Sequence, residues 1–211
     1  MIAMENTISK TKRKLIILCA VFLILKNIVM IVFAYYYHAS DPEKPMWIQW
    51  SIERILQIIP YGYIMIVIAE YFNSYKLKVL RTTTIILLLF EISGNMLKYF
   101  NQAEIYNQNE ITVPRFIAIG NAVAWTLIMI VWIIFLFRTS AANFPAVSSI
   151  RKYAISVLAV ILISGTLPLL INKFVDIQQF MEIAVVVIGV LPYVFFIEFG
   201  LKLPMKNQAV T

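Results

Sequence analysis

Ionisable and amide side chains recur inside runs of this sequence that are otherwise apolar, and they define what chemistry the chain could perform. Lys26, Glu53, Arg54, Gln57, Glu91, Asn95, Lys98, Arg115, Asn121, Asn172 and Glu182 all interrupt stretches rich in Ile, Leu, Val and Phe. Glu91, Asn95 and Lys98 are spaced i, i+4 and i+7, so a single helical face carries all three. Glu53, Gln57 and Pro60 repeat that spacing, with Arg54 on the flank. A charge within an apolar helix is costly, and usually faces a bundle interior or a water-filled cavity where a partner neutralises it. Such a set can bind a polar or charged solute, pass an ion, or move a proton through a carboxyl that burial keeps protonated. The plainer alternative uses the same residue types as hydrogen bonds and ion pairs that only hold helices together.

Chemistries that need other residues are excluded. His38 is the single histidine, so zinc and di-iron sites built on two or three imidazoles have no ligands. Cys19 is the single cysteine, which rules out a disulfide framework, a Cys-x-x-Cys redox pair and a thiolate metal site. Asp41 and Asp176 are the only aspartates, too few and too far apart to hold magnesium and a diphosphate. No G-x-x-x-x-G-K-[ST] occurs, so no nucleotide is cradled in that way. What survives needs neither metal nor cofactor. It is either acid–base work on a lipid or isoprenoid, with Glu91 as the buried carboxyl and Glu53 or Glu182 as its partner, or no bond-making at all.

The elements that would position these residues follow from composition. The chain of 211 residues is 61% hydrophobic and 14% charged, against about half apolar and about a quarter charged in soluble domains. A bilayer-spanning helix needs about 20 apolar residues. Six runs meet this length, at 15–37, 48–72, 82–100, 115–137, 153–172 and 178–201. They fill most of the sequence and leave only loops between them. The expected architecture is therefore all-α: a polytopic integral membrane protein, a single transmembrane domain of six spans with no soluble domain. The first run is longer than the apolar core of a signal peptide and ends in Tyr35-Tyr36-Tyr37, an interfacial belt that marks a retained anchor. Trp47 and Trp50 mark the re-entry of the second.

Orientation follows from the basic residues near the span ends. Lys10, Lys12, Arg13, Lys14, Lys76, Lys78, Arg81, Arg138, Arg151, Lys152, Lys202 and Lys206 fall on one side. Lys44, Lys173, Arg54, Lys98 and Arg115 fall on the other. Twelve against five puts the first side, and both termini, in the cytoplasm. The net charge of +7 is thus distributed as a topology signal in a cell (plasma) membrane protein, not as a nucleic-acid-binding patch.

Depth then groups the polar residues. Lys26 lies twelve residues beyond Lys14 and Glu91 ten beyond Arg81, which places both roughly 15–18 Å deep and suggests an opposite-charge pair near the midplane. The others, Glu53, Arg54, Gln57, Asn95, Lys98, Arg115, Asn121, Asn172 and Glu182, fall in the outer half and are expected to form a hydrated cluster there. Glu70 and Glu198 sit beside Lys76 and Lys202 as interfacial ion pairs. Ala20, Asn27 and Ala34, and Gly120 with Ala124, are expected as close helix-packing faces.

Three readings remain open. The first is solute or ion handling, as a carrier or the membrane subunit of a transporter. The second is a non-catalytic membrane protein that senses, protects or assists assembly through a protein partner or a second copy of itself. The third is the lipid- or isoprenoid-modifying enzyme described above. The bilayer is a partner in all three, and a small polar solute in the first.

Overall fold

Each apolar run folds as a helix, which satisfies its backbone groups within the segment itself. The computed structural model describes residues 9–40, 47–101, 112–171 and 178–204. They form α1 (Lys10–Ser40), α2 (Trp47–Ser74), α3 (Lys78–Phe100), α4 (Val113–Arg138), α5 (Val147–Ile171) and α6 (Gln178–Lys202). No strand occurs among the described residues. Side chains are described for 9–29, 56–101, 112–163 and 188–204.

Several helix starts lie outside the expected spans, and local chemistry explains them. Ser9 caps α1, its hydroxyl accepting the N–H of Lys12 at 3.2 Å, so the basic turn before the apolar run is helical too. Thr112 caps α4 in the same way, accepting the N–H of Arg115 at 3.3 Å, with Pro114 in the first turn. The α2–α3 connection is a Schellman turn. Leu77 N–H reaches the Phe72 carbonyl at 2.9 Å and Lys76 N–H the Asn73 carbonyl at 3.0 Å. Lys76 holds the left-handed position, with φ 60°, where glycine is the usual occupant. Arg81 straps this turn by donating to Asn73 Oδ1 at 3.0 Å.

The helices group into two compact units, residues 1–43 with 139–211, and residues 44–138. In the first, α6 packs against both α1 and α5. Gly200 lets α1 come close: a Cβ there would lie 3.1 Å from Ile17 and 3.3 Å from Ile16. On the α5 side Tyr153 stacks on Phe196, ring centroids 4.2 Å apart. Ile16, Ala20, Leu23, Phe196 and Phe199 are fully buried here. In the second unit α3 packs against both α2 and α4, over a core that includes Ile64, Ile68, Leu87 and Trp132.

Much apolar surface stays outside. Leu18, Leu25, Ile59, Leu89, Phe116, Leu127 and Leu162 are each more than half exposed, more than a water-soluble monomer normally leaves open. Among the described residues, α3 (23 residues) and α4 (26 residues) are long and apolar enough to cross a membrane. Their apolar windows are 28% and 17% buried. The core helix of a soluble protein would be mostly enclosed, so these helices point to membrane association.

Candidate functional site

Glu91, Asn95 and Gln57 of the second unit stand at one level of their helices. The tight turn makes α2 and α3 antiparallel neighbours, and their register is set where Gly62 meets Leu88, a Cβ at 62 lying 3.7 Å from the leucine Cδ1. Glu91 and Asn95 share the helical face of Leu88, at i+3 and i+7. Counting back along α2 from Gly62 brings Gln57 level with them. Asn95 is 9% exposed. Its amide donates both to the Glu91 carboxylate and to the Glu91 backbone carbonyl, each at 2.9 Å. The carboxylate is therefore fixed by a neutral donor one turn away. Gln57, half-buried, and Lys98, a further three residues along, are also engaged in interactions.

A second set faces α4. Asn121 donates to the Phe90 backbone carbonyl at 3.2 Å, and its side-chain oxygen accepts the Ser93 hydroxyl at 3.5 Å. Gly94 makes this close approach available, because a Cβ there would collide with the Asn121 amide. Two and a half turns nearer the basic end, the buried Trp132 indole donates to Thr84 Oγ1 at 3.0 Å. That hydroxyl donates in turn to the Leu80 carbonyl at 2.6 Å. The indole bond joins α4 to α3 and the hydroxyl bond stays within α3, and together they pair polar atoms that burial would otherwise leave unsatisfied.

Beside Asn121 lies a groove of about 510 Å³, lined by Phe90, Ser93, Leu97, Phe116, Ile117, Gly120 and Asn121. Only Ser93 and Asn121 bring polar groups to it, and Glu91 and Asn95 lie on the other face of α3. Gly120, expected at a packing contact, has nothing within 4 Å of the position a Cβ would take. It opens onto the groove, and Gly94 is the glycine that brings the two helices together.

The first unit holds the remaining described candidate. Lys26, midway along α1, is 8% exposed and engaged in an interaction. Lys26 and Glu91, expected as a pair from their depth, fall in different units. At the basic end of the first unit Glu198 accepts from Lys202 at 2.7 Å and from Lys152 at 2.9 Å. The Lys202 ammonium also donates to the Ser148 hydroxyl at 2.8 Å. Sequence spacing points to Lys202, one turn along the same helix. Nothing in the sequence points to Lys152, which the packing of α5 on α6 brings in from 46 residues away. Arg151, its neighbour, donates instead to the Thr139 carbonyl.

The side chains of Glu53, Arg54 and Glu182, and all of Asn172, lie outside the described residues. Among those described, no three His, Cys, Asp or Glu side chains come together as a metal site. Comparison with protein-family models, with curated proteins and with solved structures finds no match.

Proposed function

We propose that this is a six-span membrane protein of the cell (plasma) membrane, with both termini cytoplasmic, that handles a small polar or charged solute or ion within its helices. The observation that carries this reading is the polar layer of the second unit. There a carboxylate, Glu91, is held by the nearly buried amide of Asn95, with Gln57 level on the neighbouring helix. Glu91 sits ten residues from Arg81, about 15 Å along the helix. A carboxylate held at that depth by a neutral amide is the kind of group that exchanges a proton or a cation. The exposed apolar side chains on all six helices support the spans, and the cytoplasmic placement of the termini rests on the distribution of Lys and Arg.

A flux measurement tests the reading. Purified protein would be placed in vesicles holding a pH-sensitive dye, and sodium, potassium, amino acids and small organic anions would be supplied outside in turn. At least one should give a protein-dependent signal that falls by about tenfold or more in Glu91→Gln, with thermal stability little changed. Vesicles that match protein-free controls for every solute would contradict it. That result would favour a non-catalytic role in sensing, protection or assembly. The bonds of Asn121 and Trp132 support this second reading, since both tie α3 to α4 as structural links do.

A further inference from the structure

The charges at the basic end of the first unit do not cancel, and their arrangement has a consequence for the lipid around them. Lys152 and Lys202 share the single carboxylate of Glu198, which leaves one positive charge in excess at that point. Both ammonium groups remain partly open, with Lys152 52% and Lys202 37% exposed. The contact of Gly200 with Ile16 and Ile17 sets α1 antiparallel to α6, which brings Arg13 and Lys14 level with Lys202. Ser148 lies in the first turn of α5, where the helix dipole favours an anion. Its hydroxyl accepts from Lys202 at 2.8 Å and donates to the Pro145 carbonyl at 3.1 Å, and would turn from that carbonyl to a bound phosphate. One turn toward the middle of the helices from Lys152 and from Glu198, Ile155 and Val194 respectively present exposed apolar side chains. A hydroxyl and two ammonium groups thus stand at the edge of an apolar face.

We propose that Ser148, Lys152 and Lys202 form a binding site for the phosphate headgroup of an anionic phospholipid, whose acyl chains lie along Ile155 and Val194. Glu198 is the internal competitor of that phosphate. In its absence the carboxylate offsets part of their charge while both side chains stay partly open to solvent, and the lipid phosphate takes over part of their coordination when it binds. This rests on the membrane reading above, but not on solute handling.

Native mass spectrometry of the full chain, released from micelles that contain phosphatidylglycerol and phosphatidylcholine in equal amounts, reads the site directly. The wild-type chain should retain phosphatidylglycerol preferentially. Lys152→Gln and Lys202→Gln should each weaken that retention by about fivefold, the contribution expected of one cation beside an anionic headgroup. Glu198→Gln should strengthen it, because the competitor is gone and both cations are released. A protein damaged by loss of its α5–α6 ion pair could only bind less, so the opposite sign separates the site from a structural clasp. Equal retention of the two lipids, weaker retention in Glu198→Gln, or displacement of the lipid by millimolar inorganic phosphate would each overturn the proposal. Failure of the chain to enter micelles or vesicles would instead remove the membrane reading itself.

Discussion

Asn121 and Gly94 form a residue-scale test of what holds α3 to α4. The amide of Asn121 can reach the Phe90 carbonyl only because position 94 has no side chain. Gly94→Ala should push that amide away and cost about 0.6–2 kcal/mol, the range for a hydrogen bond between membrane helices. In an Asn121→Ala background the same change should cost much less, since the group it displaces is no longer there. Gly120→Ala, where an added methyl meets open space, should leave stability nearly unchanged. Thermal unfolding of the purified variants in detergent checks all three, and equal losses from Gly94→Ala in both backgrounds would contradict the contact. That these residues are polar or small within an apolar helix is legible in the sequence. Their partners are not, because Asn121 bonds to a backbone carbonyl that every residue carries, and hydropathy says nothing about which one is near.

At the scale of elements, all six apolar runs are helices, and the differences lie at their ends. Hydropathy marks where a chain would enter and leave hydrocarbon, whereas a helix continues as long as its caps and turns allow. Helix α5 begins at Val147, six residues before the expected span, because Ser148 to Lys152 are helical although polar. Ser9 and Thr112 extend α1 and α4 as caps, a feature that hydropathy does not mark. The Schellman turn after α2 was not readable either, since lysine occupies its left-handed residue. A non-glycine side chain there costs about 1–2 kcal/mol, offset by the lower chain entropy that glycine forfeits. Lys76→Gly should therefore raise stability by up to about 1 kcal/mol, as read by a higher unfolding midpoint. A fall of that size would show that the lysine makes a contact worth more than the strain.

At the scale of the whole molecule, one end of each unit, taken by itself, carries a group of basic residues, while Lys98 and Arg115 lie toward the other end of α3 and α4. In the second unit the α2–α3 turn places Lys78 and Arg81 beside the start of α3, and the antiparallel run of α4 brings Arg138 to that end. In the first, Lys14, Lys152 and Lys202 share an end. The grouping of helices into two units could not be read from the sequence, because every apolar run offers a similar face and only side-chain fit selects neighbours. The charge asymmetry and the six apolar runs could be read, and they underlie the central proposal of six crossings with both termini inside. Reporter fusions in intact cells test it most directly. A reporter after Tyr75, Asn143 or Gln208 should read cytoplasmic, and one after Asp41, Gln108 or Asp176 external. A cytoplasmic reporter at Gln108, between α3 and α4, would contradict the six-span account.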